Sequence, residues 1–223
     1  MIGPALGDVL PQAVGIAISP LPVIVAIVVM FSRRAAVNAA AFLVGWAVGV
    51  VGVLLVASAV ADTATDGGPS DGQATVQVVL GLLFLLLAVR QWRSRPPPGT
   101  TPEPPAILSK VADMGPGLAL ALGLLFTVPN PKNVALLISA GAQLGEEGLS
   151  GGETAVVAVV FLLITMIGVA APLVMTLVMG DRAQATLQGW QDWLAHNNST
   201  VMIVLFTLLA AKMLGSGISI LTA

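Results

Sequence analysis

The chain has 223 residues, 57% of them apolar and 9% charged, with a mean hydropathy of +0.97 and a formal net charge of −2. A soluble domain is about one quarter charged, so this composition leaves no room for a sizeable soluble domain or a nucleic-acid-binding surface and points to a polytopic membrane protein. The lack of cysteine excludes disulfides, thiol catalysis and cysteine-based metal or redox centres.

Six apolar segments are expected to span the membrane, at about 10–31, 36–61, 74–92, 115–140, 154–179 and 200–222. Asp8 and no Lys or Arg precede the first, unlike the basic start of a cleaved signal peptide, so that span is expected to be retained. Arg33 and Arg34 fall between spans 1 and 2, Arg90, Arg93, Arg95 and Lys110 follow span 3, and Arg182 follows span 5. The loops after spans 2 and 4 carry Asp62, Asp66, Asp71, Glu146, Glu147 and Glu153 with no basic residue. The excess of basic residues on cytoplasmic loops then puts both termini outside.

One phrase occurs twice. Ala17–Ala26 reads AISPLPVIVA and Phe126–Ala135 reads FTVPNPKNVA, so that Pro20 falls on Pro129 and Pro22 on Pro131. Proline removes a backbone donor and clashes with the preceding turn, which breaks the helix in each span. Ser19-Pro20 and Asn130-Pro131 each pair a capping residue with proline at a first helical position, so each starts a new half-helix within the membrane. Three spans per half is an odd number, so the halves enter from opposite sides. The predicted fold is an all-α integral membrane protein of six transmembrane helices. They form two inverted-topology three-helix repeats, residues 1–93 and 115–223, with helices 1 and 4 broken and facing each other at mid-depth. Residues 94–114, with the run PPPGTTPEPP, read as an extended cytoplasmic linker. Leu187, Trp190 and Leu194 recur at helical spacing and predict a short amphipathic helix over 181–198, lying in the interface ahead of span 6.

Two ionisable side chains, Lys132 and Lys212, lie well inside spans. A lysine at mid-helix costs about 2.5–3.5 kcal/mol on insertion scales and should face protein, water or a counter-charge. Lys132 falls in the first turn of its half-helix, where the helix dipole disfavours a cation. An anion held by free backbone N–H groups, the amides of Asn130 and Asn133 and the ammonium removes that conflict. The first repeat offers Ser19 in place of the lysine. The candidate transport site is therefore Ser19, Pro20, Pro22, Asn130, Pro131, Lys132, Asn133 and Lys212, read as one electropositive pocket for a phosphate, sulfate or carboxylate. No Asp or Glu lies deep in a span, and His196 is expected in an interfacial loop. A carboxylate proton relay, a metal site, a cofactor and an enzymatic activity are accordingly not expected.

ISPLPVIV in span 1, FLVGW opening span 2 and VPNPKN in span 4 resemble the GAP family of glycolipid- and sulfolipid-addressing proteins, within the LysE superfamily of small exporters. The resemblance covers nearly the whole chain. It implies a bacterial inner-membrane exporter of a cell-envelope glycolipid, with the motif positions Ser19, Pro20, Pro22, Asn130, Pro131, Lys132 and Asn133 carried over. LysE-type exporters move basic amino acids or metal cations, which two intramembrane lysines without acids disfavour here. The expected function is an exporter or flippase of an anionic amphiphile working by alternating access. The alternatives are a small-solute exporter of LysE type and a non-transporting subunit of a larger lipid-export machine. A membrane lipid or glycolipid is the expected partner, and a homodimer is suggested by family likeness.

Overall fold

A computed structural model describes residues 2–64, 71–95 and 113–222, and among these every regular element is helical. The helices are α1 (Ile2–Ala17), α2 (Pro20–Met30), α3 (Ala35–Ala64), α4 (Asp71–Arg93), α5 (Pro116–Thr127), α6 (Pro131–Glu146), α7 (Gly151–Met179) and α8 (Ala183–Leu221). Most of the proline-rich linker lies outside the described residues, as do Asp66 and Lys110.

Four helices, α3, α4, α7 and α8, are long and apolar enough to cross a membrane. The pairs α1–α2 and α5–α6 pass the same test together and are bent by 53° and 68°. The described helices thus supply four spans, or six where each bent pair is one broken span. The chain is a multi-pass membrane protein. Its outer wall is what lipid requires, with Val178 79% and Leu177 72% exposed along α7.

Both breaks fall where proline chemistry puts them. Ser19 (φ −96°, ψ 106°) precedes α2 and Asn130 (φ −78°, ψ 108°) precedes α6, both extended, with proline opening the helix that follows. Each bent pair lies along an unbroken helix from the other half of the sequence. Helix α3 packs on α5 and α6, α7 packs on α1 and α2, and α4 pairs with α8. Glycine makes the close approaches possible. A Cβ on Gly45 would lie 2.1 Å from the Leu120 carbonyl oxygen, and one on Gly168 would lie 2.3 Å from that of Ala17.

One expected boundary is absent. Residues 181–198 do not form a separate interfacial helix, because α8 runs unbroken for 39 residues, and His196 lies within it rather than in a loop. Asn197, Asn198, Ser199 and Thr200 are weak helix formers, but packing on α4 holds them helical. Gln91 Nε2 donates to Ser199 Oγ at 3.1 Å, and Phe84 stacks on Phe206 with centroids 6.0 Å apart.

The bundle has two chemically distinct ends. At one, Arg33 pairs with Asp113 (3.5 Å), Asn38 Nδ2 donates to the Met114 carbonyl, and Phe31 shares a cavity with Gly180 and Ala183. The loops bearing Arg33, Arg34 and Arg182 thus share this arginine end. At the other, the acidic end, Asp8, Gln77, Gln143, Glu147 and Ser219 line a common cavity.

Candidate functional site

The two breaks touch. Lys132 stands in the first turn of α6, with its backbone N–H capped by Asn130 Oδ1 at 3.2 Å, and its side chain reaches across to the end of α1. There the ammonium donates to the Gly15 carbonyl at 2.8 Å and to the Ser19 hydroxyl. Lys132 is 2% exposed, and no carboxylate lies within ion-pair distance of it among the described residues. Asn133, fully buried, binds both breaks: its Nδ2 donates to the Phe126 carbonyl near the end of α5 (3.0 Å), and its Oδ1 lies 3.4 Å from Ser19 Oγ.

The arrangement answers the dipole conflict differently from the anion expected above. The carbonyls ending α1 carry partial negative charge, and a cation is favourable there. Lys132 begins one helix and caps another, so the unfavourable end of α6 is offset by the favourable end of α1. The free N–H groups expected at the breaks are also few. Prolines occupy the first and third positions of α2, and the Val23 N–H already bonds to the Ser19 carbonyl. In α6, Pro131 has no N–H, Lys132 N is capped, and Val134 N bonds to the Asn130 carbonyl. Each half-helix keeps one open donor in its first turn, Leu21 N–H and Asn133 N–H, too few to build an anion cradle from backbone alone.

Ser19 occupies the predicted capping position without capping: its hydroxyl donates back to the Ile16 carbonyl at 2.7 Å and meets Lys132. Pro20 and Pro22 are buried at the start of α2, Asn130 is half-buried, and Pro131 opens α6. Lys212 does not join this group. Its ammonium donates to the Asp8 carbonyl (2.7 Å), about two helical turns along α1 from Gly15, and lies 3.3 Å from the Gln12 amide. The single pocket with two ammonium groups is therefore corrected to two sites on one face of α1.

Between them runs a polar seam that the candidate set omitted. The Gln12 amide, fully buried, bonds to the Gln143 side chain at 3.1 Å and lies 3.4 Å from Ser139 Oγ. Asp8, Gln12 and Gly15 follow one face of α1, with Ser19 just past its end, and Lys132, Ser139 and Gln143 follow one face of α6. These are the spacings that helical periodicity brings into line. The seam leads from the breaks to the acidic end. Read as a stripe rather than residue by residue, those intervals were visible in the sequence.

No curated protein and no solved structure matches the chain. A family model described as Sap, sulfolipid-1-addressing protein, matches residues 9–219, nearly the full length over which the broken spans, the polar seam and the paired unbroken helices are laid out. The chain belongs to the sulfolipid-1-addressing protein family.

Proposed function

We propose that the protein is an inner-membrane exporter or flippase of an anionic amphiphile, a cell-envelope glycolipid, working by alternating access of two inverted three-helix halves. The arginine end faces the cytoplasm, and both termini lie outside. The family's description names sulfolipid-1 addressing, which supports an anionic lipid as cargo.

The observation that carries this reading is the buried Lys132 ammonium, which belongs to one half and bonds to neutral groups of the other. The present bonds are already charge-assisted by the ammonium, but an anionic headgroup adds full charge–charge attraction, which in a low-dielectric site exceeds the attraction of a carbonyl or hydroxyl dipole. As the headgroup takes the ammonium, α6 releases α1, and anion binding becomes coupled to separation of the halves. Asn133, which holds both breaks, re-forms the contact once the cargo has left. The seam through Ser139, Gln12 and Gln143 gives the headgroup polar partners on its way to the acidic end, while acyl chains stay in the surrounding lipid.

Reconstitution of the purified protein alone tests the function. Proteoliposomes carrying a fluorescent sulfated glycolipid should move it between leaflets, as reported by a membrane-impermeant quencher. A protein that moves no lipid unaided is an accessory subunit, and one that instead moves a small anion is a solute exporter.

A further inference from the structure

Two cavities share Lys212. The first, of ≈ 510 Å³, lies at the acidic end and is lined by Asp8, Gln77, Gln143, Glu147 and Ser216 together with Lys212. The second, also ≈ 510 Å³, is an apolar groove between α1 and α8, along Val14, Ile18, Val204, Leu208 and Trp193. The first reaches neither break; the second touches Gly15 and Ile18 at the end of α1 but not Lys132 or Asn133.

The polar cavity contains an unmet demand. Gln77 is 7% exposed, and its Oε1 has no hydrogen-bond partner. Buried amide oxygens without a donor are rare; this one is covered from the cavity that the Gln77 side chain lines, and a rotation of the amide turns it toward whatever fills that cavity. The neighbouring groups fit hydroxyls: the carboxylates of Asp8 and Glu147 accept, the Ser216 hydroxyl does both, and so does the Gln143 amide. A sugar ring carries several hydroxyls that each donate and accept. A simple anion could pair with Lys212 but has no hydroxyl to donate to Gln77.

The groove has the opposite chemistry. Ile18, Val204 and Leu208 stand 50%, 54% and 66% exposed along it. It follows α8 from Lys212 to Trp193, about 28 Å at 1.5 Å per residue, close to the hydrocarbon thickness of a bilayer. Trp193 at the far end suits headgroup depth in the opposite leaflet. Lys212 stands where the polar compartment gives way to the apolar one.

We propose that the two cavities form one binding site for a lipid with a sugar headgroup. The sugar lies at the acidic end and donates a hydroxyl to Gln77 Oε1. One acyl chain runs in the α1–α8 groove, and Lys212 faces the anionic group carried on the sugar. The site deepens the exporter reading and rests on it for its place in transport: this is where cargo waits after it leaves Lys132. A free sugar would leave the groove unused, and a phospholipid without sugar hydroxyls would leave Gln77 unmet.

Native mass spectrometry of the full-length protein in detergent, with sulfated galactosylceramide as probe, tests the site. The unsubstituted protein should retain the probe, and Gln77→Leu and Leu208→Trp should each weaken retention by about tenfold or more. Leu208 faces outward, so its enlargement fills the groove without disturbing the core. Val178→Trp, at an equally outward position on α7, should bind as the unsubstituted protein does. Full retention by both Gln77→Leu and Leu208→Trp would overturn the proposal, as would equal retention of phosphatidylglycerol or displacement by free galactose 3-sulfate. A protein that passes these criteria yet moves no lipid in proteoliposomes keeps the site and loses the exporter reading.

Discussion

Lys132 and Gly15 are 117 positions apart in sequence, and the Lys132 ammonium donates to the Gly15 carbonyl at 2.8 Å. The first residue belongs to the second half of the chain and opens a helix; the other belongs to the first half and closes one. This contact joins the two proline breaks, and its cost and its use have the same origin. A buried ammonium held by neutral partners remains open to a better one.

The Pro-x-Pro phrases hold the breaks open. Replacing Pro20 and Pro22 together with Ala restores two N–H donors and removes the clash that keeps Ser19 extended. The 53° bend should then relax, lengthening the distance between spin labels at Gly7 and Phe31 by about 4 Å, given 1.5 Å of rise per residue. Pulsed electron–electron resonance in nanodiscs measures it. An unchanged distance would mean that packing, not proline, sets the bend.

Gly168 lies against the first break. A methyl group there would meet the Ala17 carbonyl at 2.3 Å, with backbone rather than a flexible side chain in the way. Gly168→Ala should destabilise by about 1–3 kcal/mol, the usual cost of overpacking. Gly52, with nothing within 4 Å, is the control, and Gly52→Ala should be neutral or stabilising by up to about 1 kcal/mol through helix propensity. Thermal unfolding in one detergent compares them.

The two capping positions should respond differently. Asn130→Ala removes a side-chain bond to the Lys132 N–H and should cost about 1 kcal/mol of stability. Ser19→Ala removes no cap, because its hydroxyl bonds to the Ile16 carbonyl and to Lys132. Its effect should appear in transport rather than in the stability of α2. Paired unfolding and transport measurements on both variants check the contrast.

Orientation is testable with unusual ease, since the chain has no cysteine of its own. Glu147 at the acidic end and Arg34 at the arginine end are both exposed. A membrane-impermeant maleimide on intact cells should label Glu147→Cys, and should label Arg34→Cys after permeabilisation alone. The reverse pattern would invert the topology and with it the direction of the seam.

Local chemistry made part of this structure legible in advance. Ser19-Pro20 and Asn130-Pro131 announced the breaks because proline acts on its own neighbours, and hydropathy alone outlined α3 and α7. What was not legible depended on residues distant in sequence. The weak helix formers Asn197–Thr200 looked like a boundary and became helix through α4. The misplaced charge of Lys132 was read correctly as a conflict, but its remedy, the end of α1, lies in the other half of the chain. Gln77 carries no signal in the sequence, because only the surrounding helices leave its oxygen without a partner.

In the proposed exporter, transport depends on the ammonium at the meeting of the two breaks. The most direct test compares Lys132→Met and Lys132→Arg with the unsubstituted protein in the proteoliposome assay, alongside their thermal unfolding. An unpaired buried charge replaced by an apolar side chain of similar length should leave stability unchanged within about 1–2 kcal/mol or raise it. Lys132→Met should therefore stay folded and move no lipid, while Lys132→Arg keeps partial activity. Lipid movement by folded Lys132→Met at the unsubstituted rate would contradict the account.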